Sequence, residues 1–508
     1  MDGRLLLLLH VLALLLLAVV VAAGGGAVVG RDSAVLQLRE LQWGSSGQAS
    51  HVMLAARTRT RSTTVLELKH HSLTAIPDHP AAQETYLRRL LAADEARANS
   101  LQLRNKAAFT QSGKKATAAA AAAAGAEVPL TSGIRFQTLN YVTTIALGGG
   151  GSSRAGAGNL TVIVDTGSDL TWVQCKPCSV CYAQRDPLFD PSGSASYAAV
   201  PCNASACEAS LKAATGVPGS CATVGGGGGG GKSERCYYSL AYGDGSFSRG
   251  VLATDTVALG GASVDGFVFG CGLSNRGLFG GTAGLMGLGR TELSLVSQTA
   301  PRFGGVFSYC LPAATSGDAA GSLSLGGDTS SYRNATPVSY TRMIADPAQP
   351  PFYFMNVTGA SVGGAAVAAA GLGAANVLLD SGTVITRLAP SVYRAVRAEF
   401  ARQFGAERYP AAPPFSLLDA CYNLTGHDEV KVPLLTLRLE GGADMTVDAA
   451  GMLFMARKDG SQVCLAMASL SFEDQTPIIG NYQQKNKRVV YDTVGSRLGF
   501  ADEDCSYA

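Results

Sequence analysis

Short apolar runs separated by glycine-rich stretches dominate the chain beyond residue 126. Glycine clusters at residues 148–151 and 225–231 contribute no side chains to a core and predict loops. Apolar residues follow helical spacing at residues 81–106 and 390–404. Other apolar runs have the length and β-branched content of strands, at residues 141–147, 160–164, 251–259 and 267–269. Frequent short strands and few helices predict an all-β body.

The first residues of the chain have the pattern of a secretory signal peptide. Arg4 precedes a leucine-rich stretch, and the small residues of Val-Ala-Ala at residues 21–23 suit cleavage. The uninterrupted apolar part, residues 11–23, is shorter than the roughly 18 residues that a membrane-spanning helix needs. We therefore expect a removable signal peptide over residues 1–23 and no stable membrane anchor, with a retained anchor as the alternative.

Charge and cysteine content both divide the remaining chain into two parts. Residues 24–126 hold 13 Lys and Arg against 7 Asp and Glu, whereas residues 127–508 hold 26 against 30 and all 12 cysteines. An even number of cysteines suits disulfides in an oxidising compartment. The net charge of +2 argues against a nucleic-acid-binding protein. The division predicts a basic prosegment with an alanine-rich linker over residues 24–126, followed by the functional body.

Asn-x-Ser/Thr sequences mark candidate glycosylation sites in a secreted chain. One of them, at Asn159, directly precedes an apolar strand and is the least suited to modification. The candidate sites are Asn203, Asn334, Asn356 and Asn423.

One internal repeat carries the functional argument. The segment Val-Ile-Val-Asp-Thr-Gly-Ser at residues 162–168 recurs as Val-Leu-Leu-Asp-Ser-Gly-Thr at residues 377–383. A strand interior disfavours Asp, and a buried carboxylate is costly unless it accepts hydrogen bonds. A single Asp-Thr-Gly indicates a plain turn, but two copies half a body apart indicate two related lobes. A duplicated domain without chemistry is the alternative interpretation.

Two such loops would form a pair of carboxylates if the halves pack with pseudo-twofold symmetry. Asp165 and Asp380 would then face one another and, at about 3 Å and an effective dielectric near 20, repel by roughly 5 kcal/mol. The pair should therefore hold one proton over an acidic range. One carboxylate can act as a base toward water while its protonated partner donates to a substrate carbonyl. This chemistry hydrolyses an amide without a metal, a cofactor or a covalent intermediate.

The sequence offers few residues for other catalytic mechanisms. Of the six histidines, only His427 lies beyond residue 126, which disfavours a Ser-His-Asp triad and a His-based metal site. Cys175, Cys178 and Cys181 could bind metal or carry redox chemistry, but disulfides are the better interpretation in a secreted chain. The glycines at residues 284–289 lack the Lys-Ser/Thr of a phosphate-binding loop.

Residues from about 130 to 505 resemble the pepsin-like aspartic endopeptidases, and more closely their plant nepenthesin-like branch. The resemblance rests on Asp-Thr-Gly-Ser-Asp-Leu-Thr-Trp at 165–172, Asp-Ser-Gly-Thr at 380–383 and Ala-Tyr-Gly-Asp-Gly-Ser at 241–246. Residues 283–289 and 477–481 are similar to the segments that brace the catalytic loops. The resemblance implies an all-β, bilobal fold with a cleft between an N-terminal lobe, residues 127–320, and a C-terminal lobe, residues 321–508.

The resemblance also implies roles for individual residues. Asp165 and Asp380 would be catalytic, and a flap carried by Tyr242 would close over the substrate and reach Trp172. The remaining implied site residues are the loop supports Thr166, Gly167, Ser168, Ser381, Gly382 and Thr383 and the flap residues Gly243 and Asp244.

Disulfide pairing is implied by the same resemblance. Seven cysteines lie between residues 175 and 236 and five lie beyond, so complete pairing requires at least one bridge between the groups. The implied pairs are Cys175–Cys178, Cys181–Cys271, Cys202–Cys236, Cys207–Cys221, Cys310–Cys505 and Cys421–Cys464.

We therefore expect a secreted, monomeric aspartic endopeptidase that cleaves proteins or peptides, outside the cell (in the apoplast) or in the vacuole. Its own prosegment would act as an intramolecular inhibitor that acid releases, with maturation between Lys115 and Arg135. One alternative is a pepsin-like binding protein without catalysis, as in plant xylanase inhibitors of this fold. A second is a DNA-binding nucleoid protein, which the acidic body disfavours.

Overall fold

The computed structural model describes residues 32–41, 79–108, 126–132, 138–148, 158–224, 233–242, 245–313, 320–373, 375–405 and 408–506. The expected signal peptide, the alanine run of the linker and the glycine cluster at 225–231 lie outside these ranges. Within them, no helix is long and apolar enough to cross a membrane.

Helices are few, and the two that the sequence predicts are present. The helix expected at residues 390–404 has those bounds; it begins at a proline and ends before Gly405, which has φ 76°. The helix expected at residues 81–106 extends slightly further at both ends. The α-helices are α1 (Pro80–Ala108), α2 (Leu211–Thr215), α3 (Leu295–Phe303), α4 (Pro390–Phe404) and α5 (Ala449–Met452).

Strands form most of the regular structure. Up to residue 342 they are β1 (Ser33–Gln37), β2 (Ala126–Ser132), β3 (Tyr141–Leu147), β4 (Gly158–Asp165), β5 (Trp172–Gln174), β6 (Ala198–Ala199), β7 (Ser220–Val224), β8 (Ser233–Ala241), β9 (Phe247–Leu259), β10 (Ala262–Arg276), β11 (Gly284–Gly287), β12 (Val306–Cys310), β13 (Ala320–Leu325) and β14 (Ser339–Arg342). Beyond it they are β15 (Phe354–Val362), β16 (Ala365–Val367), β17 (Asn376–Leu379), β18 (Thr386–Leu388), β19 (Ala411–Ala412), β20 (Cys421–Tyr422), β21 (Glu429–Pro433), β22 (Leu435–Leu439), β23 (Asp444–Thr446), β24 (Leu453–Met455), β25 (Val463–Leu465), β26 (Met467–Ser469), β27 (Ile478–Ile479), β28 (Lys487–Asp492) and β29 (Arg497–Asp502). The all-β prediction is confirmed.

The largest sheet draws strands from both halves of the sequence. Its order runs β14-β29-β28-β12-β13-β2-β3-β4-β11-β5-β10-β9-β8-β7. Strand β28 thus pairs with β12 of the first half, and β29 pairs with β28. The expected lobe boundary, between residues 320 and 321, falls within β13 of this shared sheet. The C-terminal part of the chain therefore closes back onto the N-terminal lobe.

The two halves repeat one arrangement of strands around the Asp-containing loops. In the first half β4 pairs in parallel with β11, and in the second half β17 pairs in parallel with β27. The strands β11 and β27 lie in the two segments whose similarity suggested a bracing role, residues 283–289 and 477–481. Both Asp loops are thus held at the end of a buried parallel pair, which places them at equivalent points of the two lobes.

The chain before residue 109 is described at residues 32–41 and 79–108, and each of these segments packs on the body. Strand β1 pairs antiparallel with β21, and Leu36, Leu38 and Leu41 are buried against the second lobe. Helix α1 lies between the lobes, where its leucines contact Leu139 of the first lobe and Phe415 of the second. The described segments of residues 24–126, which we call the leader, are therefore an integral part of the packed structure.

The disulfide pairing differs from the expectation in four of its six pairs. Cys175, and not Cys181, makes the long bridge to Cys271. Strand β5 runs parallel to β10, and the N–H of Cys175, one residue beyond β5, donates to the carbonyl of Gly272 (2.9 Å), the neighbour of Cys271. Cys178 and Cys181 then pair locally. The bridges are Cys175–Cys271, Cys178–Cys181, Cys202–Cys221, Cys207–Cys236, Cys310–Cys505 and Cys421–Cys464.

The other error concerns four cysteines near the flap strands. The expected pairs Cys202–Cys236 and Cys207–Cys221 are wrong. Cys207 and Cys236 are both buried in one apolar cluster, and their Cα atoms are 5.7 Å apart. Cys202 and Cys221 are left at the more exposed edge, where they bond to each other. Tertiary packing determines these two pairs. The expected pairs Cys310–Cys505 and Cys421–Cys464 are present.

Candidate active site

Each of the two Asp loops supplies its carboxylate with the same pair of hydrogen bonds. Asp165 accepts from the backbone N–H of Gly167 (3.0 Å) and from the hydroxyl of Ser168 (2.6 Å). Asp380 accepts from the N–H of Gly382 (2.9 Å) and from the hydroxyl of Thr383 (2.6 Å). In both loops the N–H binds Oδ1 and the hydroxyl binds Oδ2. These contacts compensate for the loss of water around two fully buried carboxylates.

The second residue of each loop ties the two loops together. The N–H of Thr166 donates to Ser381 Oγ (3.0 Å), and the N–H of Ser381 donates to Thr166 Oγ1 (2.9 Å). The Ser381 hydroxyl donates in turn to the carbonyl of Val164 (3.0 Å) in the opposite lobe. This reciprocal bracing fixes the distance between the lobes where the carboxylates meet.

The glycines of the two loops allow the carboxylates to approach. A Cβ atom on Gly167 would lie 2.7 Å from Asp380 Oδ1, and one on Gly382 would lie 2.3 Å from Asp165 Oδ1. Any side chain at either position would push against the carboxylate of the other loop. The same geometry shows that each Oδ1 atom points toward the opposite loop.

Arg97, from helix α1 of the leader, lies across the two carboxylates. Its Nη2 donates to Asp165 Oδ1 at 2.6 Å and to Asp380 Oδ2 at 3.1 Å, and its Nε donates to Asp380 Oδ2 at 3.3 Å. A single nitrogen atom therefore contacts both aspartates. Sequence reasoning missed Arg97, because nothing distinguishes it from the other basic residues of the leader except its position on a helix face.

Electrostatics favour this bridged arrangement. Burial raises the pKa of the Asp165 carboxyl; the charge of Arg97 opposes that rise, and the charge of Asp380 adds to it. Burial lowers the pKa of the Arg97 guanidinium, but the two aspartates outweigh burial and bring the pKa above its ordinary value. Arg97 therefore stays charged, and it stabilises the ionised form of the carboxylates that it contacts.

Further contacts hold α1 on both sides of Arg97. Leu87 and Leu91 enter an apolar pocket that includes Phe415, and Leu101 packs in a second cluster, one turn beyond Arg97. Gln102 accepts from the N–H of Thr476 and donates to its carbonyl, both at 2.8 Å, much as a neighbouring strand would. The helix occupies the groove above the carboxylates along the length of these contacts.

The expected flap lies over the same groove. Tyr242 follows β8 in the hairpin with β9, and its hydroxyl accepts a hydrogen bond from Trp172 Nε1 at 3.0 Å. The Phe279 ring packs against both of these side chains, with centroids 4.9 Å from Trp172 and 5.5 Å from Tyr242. Gly243 and Asp244 lie outside the described residues.

The candidate glycosylation sites differ in exposure. Asn203 and Asn334 are exposed, whereas Asn356 and Asn423 are half-buried. Asn203 and Asn334 are therefore the sites that a glycan could occupy with the least rearrangement.

Two β lobes, each contributing one Asp-Thr/Ser-Gly loop beneath a hairpin flap, define the pepsin-like aspartic protease class. Comparison with protein families gives the same result: the family model described as "Xylanase inhibitor N-terminal" matches residues 141–327, and "Xylanase inhibitor C-terminal" matches residues 352–502. The chain belongs to the plant pepsin-like aspartic protease family.

Curated relatives bear names of this family. An aspartyl protease family protein of Arabidopsis thaliana is 37% identical over 480 residues, which cover 94% of each chain. Aspartic proteinase nepenthesin-1 of Nepenthes gracilis is 34% identical over 355 residues, covering 68% of this chain and 75% of the relative. The first of these similarities includes the leader as well as the two lobes.

Solved structures share the fold at low sequence identity. The basic 7S globulin from soybean has a TM-score of 0.57 at 19% identity, over 75% of this chain and 98% of the globulin. The aspartic proteinase from Irpex lacteus has a TM-score of 0.51 at 19% identity, over 76% of this chain and 99% of the proteinase. The bilobal fold is thus common to proteins described as a globulin and as a proteinase.

Proposed function

We propose that the protein is an aspartic endopeptidase that hydrolyses internal peptide bonds and is made as an acid-activated zymogen. The observation that carries the proposal is the pair formed by Asp165 and Asp380, supported by equivalent hydrogen bonds and both contacted by one nitrogen of Arg97. An extended segment of a substrate protein would take the place of α1 in the groove and be held there by main-chain hydrogen bonds.

The chemistry follows from the state of the pair after α1 has left. Two adjacent buried carboxylates share one proton, and a water molecule binds between the Oδ1 atoms that point toward each other. The ionised aspartate removes a proton from this water as its oxygen attacks the peptide carbonyl carbon, and the protonated aspartate donates its proton to the carbonyl oxygen. The resulting gem-diol collapses with proton transfer to the amide nitrogen, which leaves as the amine.

The same geometry supports latency at neutral pH. Arg97 occupies the space between the carboxylates where the attacking water would bind. Because Arg97 stabilises the ionised pair, its attraction is strongest above the pH at which the pair titrates and weakens as the pH falls and the carboxylates take up protons. Acid would therefore loosen α1 and also bring the pair to its singly protonated, catalytic state.

The proposal places the protein in the secretory pathway, with the outside of the cell or the vacuole as its destination. All twelve cysteines are paired in six disulfides, which suits an oxidising compartment. The expected signal peptide supports the same route.

The test is hydrolysis of a denatured protein by the acidified full-length precursor. We expect cleavage at a pH of about 4 that pepstatin abolishes, and a loss of at least about 1,000-fold in Asp165→Asn, since general acid–base catalysis needs both carboxyls. Asp444→Asn, which alters an exposed aspartate of β23, is the matched control and should retain activity. Equal rates in the wild type and Asp165→Asn would rule out the proposed function.

The alternative is a pepsin-like binding protein without catalysis. It is favoured by the descriptions of the two matching family models, which name a xylanase inhibitor. A precursor that releases α1 in acid, as shown by hydrogen exchange, and yet cleaves no denatured protein would support this alternative.

A further inference from the structure

A carboxylate of helix α1 fills a second polar site beside the aspartate pair. Asp94 Oδ1 accepts from the N–H of Val384 (2.5 Å), and Oδ2 accepts from the N–H of Ile385 (3.1 Å) and from Arg387 Nη2 (2.9 Å). The Asp94 and Arg387 side chains are 1% and 4% exposed. Two backbone donors and one guanidinium thus converge on a single buried carboxylate.

Most of this site belongs to the body and would remain when α1 leaves. Arg387 Nη1 donates to the carbonyl of Ile385 (2.7 Å), which holds the guanidinium on its own loop. Among the described residues, Asp94 is the carboxylate that pairs with Arg387. Departure of α1 would therefore leave a cation and two N–H donors without their acceptor.

The site lies within a few residues of the bond that would be cleaved. Its donors belong to residues 384–387, which directly follow the catalytic-loop segment 380–383. Asp94 precedes Arg97 by three residues, a rise of about 4.5 Å along a helix. An extended peptide advances about 3.3 Å per residue, so the same step corresponds to one or two substrate residues.

We propose that Arg387 and the N–H groups of Val384 and Ile385 form a substrate subsite for an acidic side chain, which Asp94 occupies in the precursor. The proposal rests on the proposed function and specifies its substrates as polypeptides with Asp or Glu near the scissile bond. An apolar substrate residue next to the acid would enter the pocket that Leu87 and Leu91 fill in the precursor.

The chemistry of the site selects for charge. A carboxylate accepts from all three donors and neutralises the guanidinium, whereas a carboxamide oxygen brings no charge. In a site screened from water by apolar neighbours, hydrogen bonds between charged partners are roughly twice as strong as neutral ones. A Glu in this subsite should therefore be preferred over a Gln of the same shape.

The first test uses the acid-activated full chain without any substitution. A peptide that is cleaved at one bond is prepared in matched pairs, with Glu or Gln at each position in turn, and kcat/KM is measured at pH about 5, where an ordinary Glu with a pKa of about 4.3 is mostly ionised. We expect one position within a few residues of the scissile bond at which Glu is preferred about tenfold. Cleavage of the peptides with no preference for Glu at any position overturns this inference and leaves the proposed function intact, whereas no cleavage of any peptide overturns both.

The second test assigns the preference to Arg387. Arg387→Gln should reduce the Glu-to-Gln ratio at that position to about one while the Gln peptide is still cleaved. Arg394→Gln, which removes an exposed arginine of α4, is the matched control and should keep the wild-type ratio. Should Arg387→Gln fail to fold, Arg387→Lys serves instead and should lower the ratio severalfold, because an ammonium group lacks the guanidinium geometry. An unchanged ratio in the folded variant overturns the assignment.

Discussion

At the scale of single residues, Arg97 stabilises the ionised form of the two aspartates in the groove. It contacts Asp165 and Asp380 through one nitrogen, and it is held in place by a helix packed on both lobes. A Lys could neutralise the same pair, but its ammonium group lacks the planar fork that bonds through both Nη2 and Nε. The geometry thus couples a leader residue directly to the protonation of the aspartate pair.

Replacing Arg97 should move the release of the leader to higher pH. In Arg97→Gln the ionised pair no longer attracts α1. We therefore expect the pH midpoint of pepstatin binding to the full-length precursor to lie about one unit or more above that of the wild type. One pH unit corresponds to about 1.4 kcal/mol. Fluorescence-detected pepstatin binding between pH 3 and 7 measures the midpoint. Arg89→Gln removes the same charge from an exposed position of the same helix and should leave the midpoint unchanged. Identical midpoints in the two variants would contradict this role of Arg97.

At the scale of elements, helix α1 fills the groove between the lobes as one continuous helix. Its apolar contacts lie on both sides of Arg97: Leu87 and Leu91 on one side, and Ala98 and Leu101 on the other. Most of the stability of a helix in a protein comes from tertiary packing, so contacts with the two lobes stabilise this helix. Weakening one apolar contact should therefore allow the whole helix to open.

Leu91 offers a test that does not depend on activity. Leu91→Ala removes a fully buried side chain at a cost of about 2–5 kcal/mol, so the helix should open more often while the body stays folded. We expect hydrogen exchange across residues 80–101 at neutral pH to accelerate at least tenfold, without faster exchange in β28. Asn99→Ala, at an exposed position of the same helix, is the control. Uniform acceleration throughout the body would instead show that α1 is inseparable from the global fold.

At the scale of the whole molecule, the two lobes are joined through the central sheet and the end of the chain. Strands β28 and β29 pair beside β12, and the buried Arg488 forms an ion pair with the buried Glu503 at 2.8 Å. Cys505 bonds to Cys310 across a sequence separation of 195 residues. These contacts join the two lobes, each of which carries one Asp loop.

The long disulfide should stabilise the fold more than the short one. Opening Cys310–Cys505 with two serines frees a loop of 195 residues, whereas opening Cys178–Cys181 frees a loop of three. The entropy of loop closure predicts losses of about 5 and about 1.6 kcal/mol in the free energy of unfolding. Urea unfolding of the full-length variants at neutral pH measures the difference. A larger loss for the short loop would contradict the loop-closure account.

Local sequence was sufficient for features that depend on neighbouring residues. The two Asp-x-Gly loops, the bounds of α4 and the strand β3 could be predicted because each is specified within a few residues. Two of six disulfides were paired as expected; the others depend on how β5, β10 and the flap strands pack. Asp94 and Arg387, 293 residues apart, carry no sequence signal that would bring them together.

The sequence by itself predicted a β protein with one aspartate loop in each half and a basic leader, because apolar spacing, glycine positions and charge are local properties of the chain. The arrangement in two lobes was implied by the resemblance to a known family. Tertiary structure alone decided which of the thirteen leader cations meets the aspartates and which cysteines bond. It also decided that the Asp94 carboxylate of helix α1 is bound beside the second aspartate loop. Such contacts form between residues hundreds of positions apart, where the packing of helix against lobe and strand against strand, and not local conformational preference, sets the distance.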